Sequence, residues 1–245
     1  MFQHLPRYYV VVYNDAVHNF WVLVDFRLYI WAYLNPIFML KRFFKVVSVV
    51  FHPLFMPLML FGLTCFLGSF GVARYGFKVQ MYFALGIFLF SFVVPSISVS
   101  IFVAFGMVKS AEMSGRHERH LPYLVGVLSM ATLYYLLARV QVHFLISLPI
   151  LGSVVAGCGL LLLNFFFKIS AHATGVGAVL GFLAAAYPFF RGDVLLVFMV
   201  AVAIAGMVGT ARLYLNAHSA TQVWCGYALG ASSMFLVLKV GAWFL

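Results

Sequence analysis

Polar side chains that could handle a phosphate group are concentrated in three connections of an otherwise strongly apolar chain. They are Lys109, Arg116 and Arg119 in segment 109–122, Ser170 and His172 in segment 168–175, and Arg212, His218 and Gln222 in segment 211–222. The planar guanidinium of arginine donates two hydrogen bonds at once to phosphate oxygens. Histidine acts as a nucleophile or as a general acid near neutral pH. Phosphoryl transfer needs charge neutralisation, a nucleophile and a proton for the leaving group, and this set supplies all three.

The local sequence indicates how two of these connections present their histidines. Ser170 is a suitable N-cap for a helix that begins near Ala171, because its hydroxyl can accept from an unpaired backbone N–H. His172 then lies in the first helical turn, where the helix dipole and the free N–H groups favour an anion. If 212–222 is helical, His218 and Gln222 lie four residues apart on one face and can form a hydrogen bond.

The composition shows which elements must position these residues. Hydrophobic residues make up 65% of the chain and charged residues only 8%, and the mean hydropathy is +1.09. A soluble domain carries about 25% charged residues, so the composition predicts an all-α polytopic membrane protein. The net charge of +10 suits anionic lipid headgroups and phosphate-bearing lipids. Nucleic acid is a poor alternative as a partner, because the cations form no run and no soluble domain displays them.

Seven apolar runs are long enough to span the bilayer, for which a helix needs about 20 residues. They lie at about 46–68, 79–108, 122–140, 142–165, 172–190, 193–211 and 223–245. Pro95 is expected to kink or break the second run. We assign residues 36–245 to a single membrane-embedded domain. Residues 1–35 form an eighth span, an interfacial helix or a non-native extension before a start at Met39.

The order of the spans places the three polar connections on one face of the membrane. Two predicted spans separate the first connection from the second, and two more separate the second from the third. An even number of crossings returns the chain to the same side each time. We therefore expect the three connections to converge.

The third connection carries the most specific likeness to a known family. It contains Ala211 and Arg212, then His218 after five intervening residues, then Gln222. This pattern resembles the Ser-Arg-x5-His-x3-Asp signature of the type 2 phosphatidic acid phosphatase superfamily. That superfamily includes lipid phosphate phosphatases, undecaprenyl pyrophosphate phosphatases and vanadium haloperoxidases.

The other two connections match the same superfamily in part, so the resemblance covers about 109–230. Lys109 and Arg116 have the spacing of its Lys-x6-Arg-Pro signature, although the proline follows only after Arg119. Either Lys109 with Arg116, or Arg116 with Arg119, is then the phosphate-binding pair. The segment 169–172 keeps the Ser170 and His172 of the Pro-Ser-Gly-His signature and lacks its proline and glycine.

The resemblance implies a metal-independent membrane phosphatase without a cofactor. His218 would be the nucleophile that forms a phosphohistidine, and His172 would protonate the leaving group. Arg212, Ser170 and the cations of the first connection would bind the phosphoryl oxygens. The substrate would be a membrane lipid phosphate or a polyprenyl (pyro)phosphate, with the active site on the extracytoplasmic face of the cell membrane.

Two departures from the superfamily keep an alternative open. Gln222 replaces an aspartate and brings no charge, which predicts a slower enzyme, help from Glu112 or Glu118, or an inactive homologue that binds lipid. Two spans also separate the first two signatures, which usually share one loop. The rival hypothesis is a non-catalytic protein that transports or binds anionic lipid. Outside the signatures, we interpret Lys168 as a membrane-interface anchor and His52 as a structural helix-end residue.

Overall fold

The computed structural model describes residues 36–68, 72–110, 112–113, 115–190 and 192–244. Within these ranges the chain forms nine α-helices and no β-strand. They are α1 (Pro36–Val50), α2 (Met56–Phe66), α3 (Phe77–Phe88), α4 (Val94–Ala104), α5 (His120–Arg139), α6 (Phe144–Asn164), α7 (Ala171–Ala186), α8 (Val194–Tyr214) and α9 (Ala220–Trp243). The three alternatives for segment 1–35 lie outside the described residues.

Seven helical stretches are long and apolar enough to cross a membrane, which confirms the predicted all-α polytopic bundle. They are Ile37–Phe66, Phe77–Ala104, His117–Arg139, Phe144–Asn164, Ala171–Phe189, Val194–Tyr214 and Ala220–Trp243. Each corresponds to one of the seven apolar runs of the sequence. Short 3-10 helices at Pro53–Phe55, His117–Arg119 and Tyr187–Phe189 extend α2, α5 and α7.

The first stretch begins at Ile37, earlier than the predicted start near 46, because α1 is amphipathic. Phe44, Val47 and Ser48 are buried on one face of α1, whereas its cations are exposed on the other. The Phe44 ring packs against Tyr214 at the end of α8, with 4.9 Å between the ring centroids. Apolar residues at this i, i+3, i+4 spacing extend the helix beyond the purely apolar run.

The second stretch contains a π turn, Leu89–Val93, directly before α4. Pro95 occupies the first turn of α4. A proline ring collides with the carbonyl four residues earlier, here that of Ser91, and a π turn widens the helix enough to relieve that collision. The helical stretch from Phe77 to Ala104 therefore continues past Pro95 without a break, and a π turn stands where a kink or break was predicted. The Ser129 hydroxyl of α5 donates to the Phe90 carbonyl at 2.6 Å and fixes the turn against α5.

The helices α7 and α9 pack closely enough to bring their N-termini together. A Cβ atom at Gly230 of α9 would lie 1.9 Å from the Thr174 carbonyl oxygen of α7, and one at Gly226 would lie 2.7 Å from that of Ser170. Only glycine permits such an approach of two backbones, and small residues at the interface are typical of membrane helix pairs. This packing places the first turn of α7, with His172, beside the first turn of α9, with Gln222.

Candidate phosphate site

Hydrogen bonds between backbones and side chains join the three polar connections, as their order along the chain predicts. The Arg116 Nη1 donates to the Phe166 carbonyl at 2.6 Å. In return, the Asn164 Nδ2 donates to the Arg116 carbonyl at 2.8 Å. The Ser170 N–H donates to the Gln222 carbonyl at 3.3 Å. The connections therefore converge at one end of the bundle.

The capping box of α9 holds the His218 ring. Ser219 is the N-cap and accepts from the Gln222 N–H, while the Gln222 Oε1 accepts from the Ser219 N–H at 3.2 Å. The same Oε1 lies 3.0 Å from the His218 Nδ1. Because that oxygen only accepts, the His218 Nδ1 must carry the proton. The lone pair of a neutral His218 is therefore on Nε2.

Its surroundings keep His218 neutral. The side chain is only 8% exposed, and desolvation lowers the pKa of His218 from 6.5 to about 4, with further lowering by Arg119, Arg212 and Lys168. The hydrogen bond to Gln222 acts in the opposite direction and raises the pKa. At neutral pH the ring has a free lone pair, which is the form that a nucleophile needs.

Three cations, Arg119, Arg212 and Lys168, lie close enough to His218 for their charges to lower its pKa. Arg119 is buried, and its Nε donates to the Met113 carbonyl at 2.9 Å. Burial lowers the pKa of Lys168, and the charges of Arg119 and Arg212 lower it further. Among the described residues, none of the three cations forms an ion pair with an aspartate or a glutamate. The site therefore carries a positive potential that favours an anion.

Arg212 has hydrogen-bonding capacity to spare. Its Nη1 donates to the Ser48 hydroxyl of α1 at 3.3 Å. Its Nε is buried and has no hydrogen-bond partner among the described residues. A buried charged donor without a partner is costly, so this nitrogen favours an added acceptor such as a phosphate oxygen.

His172 is held by the end of α1. Its Nε2 lies 3.0 Å from the Ser48 carbonyl, which fixes the proton on Nε2 and leaves Nδ1 to gain or lose the second proton. The His52 ring packs edge-on against His172, with 5.2 Å between the centroids. The Ser170 hydroxyl accepts from the Ala173 N–H and caps α7 as predicted. The hydroxyl is fully buried in this role.

Three residues of this site were not assigned to it from the sequence. Ser48 lies before the first signature, and nothing in the sequence around it indicates a functional role. The sequence around Lys168 is typical of an interface anchor. In the fold, the positive charges of Arg119 and Arg212 lie close enough to act on its ammonium group. His52 follows Ser48 by four residues, a spacing that places both at one helix end.

Among the described residues, four other predicted residues show no contact with His218. Lys109 is exposed, and the structure gives it no contact with the three cations. The Arg116 guanidinium donates its hydrogen bond to the Phe166 carbonyl. Glu118 accepts from the Gly115 N–H, and Glu112 is exposed, so neither supports the His218 ring among the described residues.

Neither a metal centre nor a known relative accounts for this arrangement. Within the described residues, no group of three or more His, Cys, Asp or Glu side chains could hold a metal ion. Comparisons with protein-family models, curated proteins and solved structures find no significant match.

Proposed function

We propose that this chain is an integral membrane phosphatase that hydrolyses a lipid phosphate or polyprenyl (pyro)phosphate through a phosphohistidine. The arrangement that carries the proposal is the His218 imidazole, oriented by Gln222 with its Nε2 free, near three cations that pair with no carboxylate among the described residues. A nucleophile and a positive potential are the two features that attack on a phosphate requires. The resemblance of segment 211–222 to lipid phosphatases supports the same chemistry.

In the first step, the lone pair of the His218 Nε2 forms a bond to phosphorus. The bond from phosphorus to the lipid oxygen breaks, and that oxygen keeps the electron pair and takes a proton from the His172 Nδ1. This step requires a doubly protonated His172, a form that the negative charge of the bound phosphate favours. Arg212, Arg119 and Lys168 neutralise the charge on the phosphoryl oxygens. The proton on the His218 Nδ1 stays in place, held by the Gln222 oxygen.

In the second step, water releases the phosphate. His172, now neutral, accepts a proton from the water molecule as its oxygen attacks phosphorus. The bond between phosphorus and nitrogen breaks, and its electron pair returns to the His218 Nε2. The products are inorganic phosphate and a dephosphorylated lipid, and both histidines regain their starting protonation.

The test is phosphate release from a panel of lipid phosphates in detergent with EDTA, comparing wild type with His218→Ala. We expect release by wild type and loss of at least about a thousandfold in the variant, because the nucleophile is gone. His143→Asn is the matched control. Its ring caps α6 by accepting from the Leu145 N–H, far from the site in the fold, and asparagine is also a good N-cap. Equal release by wild type and His218→Ala would overturn the proposal.

A second candidate is a non-catalytic protein of the same fold that binds or transports anionic lipid. The neutral amide of Gln222 favours it, since a carboxylate would better stabilise a positively charged His218. This candidate predicts binding of a lipid phosphate without any phosphate release. On the resemblance alone, we also infer that the site opens on the extracytoplasmic face. Release from intact cells supplied with a membrane-impermeant phosphate ester checks that orientation.

A further inference from the structure

A cavity of about 160 Å³ lies in the bundle beneath the candidate site. A designed cavity of about 150 Å³ holds one benzene molecule, so this space suits a short stretch of hydrocarbon and not a whole lipid chain. Its lining is largely apolar and comes from α2, α5, α6, α7 and the π turn. Many of these residues are Gly, Ala or Pro, whose small side chains leave the space open.

The cavity adjoins the proposed phosphate site. Ala171 lines it and directly precedes His172. Pro53 lines it and directly follows His52. Tyr123 lines it from α5, one helical turn after Arg119. A lipid whose phosphate meets the three cations can therefore place its adjoining carbon atoms in this cavity.

One polar group on the cavity wall lacks a partner. The Ser91 side chain is 3% exposed, and its Oγ has no hydrogen-bond partner among the described residues. The other hydroxyls on the wall are occupied: that of Thr174 donates to the Ser170 carbonyl, and that of Ser153 to the Pro149 carbonyl. An unpaired buried hydroxyl is destabilising, and an oxygen of a bound ligand would satisfy it.

The π turn that carries Ser91 packs against the short helix that begins after His52. The Phe92 ring stacks on Phe55 with 4.5 Å between the centroids. Ser91 lines the cavity together with Pro53 and Leu54 of that short helix.

We propose that this cavity binds the headgroup-proximal part of the lipid chain, and that Ser91 donates a hydrogen bond to the carbonyl of an ester-linked acyl chain. The inference rests on the proposed phosphate site and narrows its ligand to acyl-ester lipid phosphates over polyprenyl phosphates. A polyprenyl chain carries no oxygen beyond its phosphate group and would leave the Ser91 hydroxyl unpaired.

The first test fills the cavity with Gly126→Leu. A Cβ at Gly126 would meet no heavy atom within 4 Å, so the new side chain enters open space on the cavity wall. Gly206→Leu is the matched control, since Gly206 has equal room on an exposed face of α8 outside the cavity. Binding of non-hydrolysable phosphonate analogues is measured by thermal shift, so the readout does not depend on turnover.

We expect Gly126→Leu to weaken binding of the dioleoyl phosphonate at least about tenfold and to leave binding of the glycerol phosphonate, which carries no acyl chain, unchanged. Gly206→Leu should bind both analogues like wild type. Equal affinities of wild type and Gly126→Leu for the dioleoyl analogue would overturn the cavity assignment. So would equal weakening of both analogues.

The second test asks what Ser91 recognises. Ser91→Ala should weaken the diester analogue about fivefold and leave the diether and farnesyl analogues unchanged, because these two lack an ester carbonyl. No selective loss would overturn the role of Ser91. Binding of the diester analogue without phosphate release from the corresponding phosphate would overturn the proposed phosphatase and leave the cavity assignment standing. Failure of wild type to bind any analogue would overturn both.

Discussion

The side-chain oxygen of Gln222 lies 3.0 Å from the His218 Nδ1 and accepts from the Ser219 N–H at 3.2 Å. The backbone donor identifies this atom as the oxygen of the amide, because an amide nitrogen there would face a second donor. Gln222 thus orients the imidazole as an aspartate would, and it leaves the Nε2 lone pair free. The amide oxygen at this contact lacks the charge of a carboxylate oxygen, and that charge would stabilise a protonated or phosphorylated ring.

Gln222→Glu should speed up the reaction and shift its pH dependence. His218 must be unprotonated to attack, and its pKa of about 4 means that the nucleophile is lost only as pH falls through about 4. A carboxylate beside the ring raises this pKa toward 6.5, so the acid limb of kcat/KM moves to higher pH. The stronger, charge-assisted hydrogen bond should raise kcat about fivefold at pH 8.

The measurement is a pH–rate profile of phosphate release for wild type and Gln222→Glu with one substrate, so that titration of the substrate affects both equally. Gln222→Met is the control, because it keeps the length of the side chain and removes the acceptor. It should lower kcat. An unchanged acid limb in Gln222→Glu would contradict the assignment of His218 as the nucleophile.

Lys168→Gln tests whether the three cations act together on substrate and nucleophile. Lys168 lowers the pKa of His218, so its removal should move the acid limb of kcat/KM upward, toward 6.5. Loss of one cation should also raise KM about tenfold, as a charged hydrogen bond is worth roughly 1.5–3 kcal/mol. Lys109→Gln is the control and should change neither quantity, since Lys109 is exposed and apart from the site. Equal effects of the two variants would indicate a general loss of surface charge.

The fold can be predicted from the sequence because hydropathy is a local property. Once the apolar runs are located, counting them gives the side of the membrane on which each connection lies. Seven apolar runs and an even number of crossings suffice to predict the bundle and the convergence of its polar connections. The predicted His218–Gln222 contact is present, but its predicted basis is wrong: residues 215–219 are not helical, and the capping box of α9 brings the two side chains together. Ser48 could not be found like this. Its contacts with His172 and Arg212 depend on how α1 packs against α7 and α8, and no spacing in the chain encodes that packing.

The neighbours of Lys168 could not be predicted for a related reason. A lysine directly before a membrane helix is most often an interfacial anchor, and its local sequence is the same in either role. What distinguishes the two is the proximity of Arg119 and Arg212, which come from two other connections. Lys109 is the opposite case. Its spacing to Arg116 matches a phosphate-binding signature, but in the fold its side chain is exposed.

Ser48→Ala should weaken substrate binding without slowing the chemical step. The variant removes the hydroxyl that accepts from the Arg212 Nη1, and the guanidinium loses one restraint on its orientation. The contact between His172 and the Ser48 carbonyl is to the backbone and remains. We expect KM to rise about fivefold, with kcat and its pH profile unchanged. Ser100→Ala is the control, since that hydroxyl only donates to the Ser96 carbonyl within α4. A fall in kcat with constant KM would show that Ser48 acts through His172 instead.

Gly230→Ala should reduce stability and phosphate release together, because the pairing of α7 and α9 positions both histidines. The added Cβ would lie 1.9 Å from the Thr174 carbonyl oxygen and 2.8 Å from the Ala178 nitrogen, so the two backbones must separate. Overpacking of this kind costs about 1–3 kcal/mol. Gly206→Ala is the matched control: its Cβ meets no atom within 4 Å, and alanine favours the helix by up to about 1 kcal/mol. Thermal unfolding in detergent and phosphate release are measured on both variants. Full release by a destabilised Gly230→Ala would show that the site tolerates separation of α7 from α9, and that His172 and His218 need not be held by this contact.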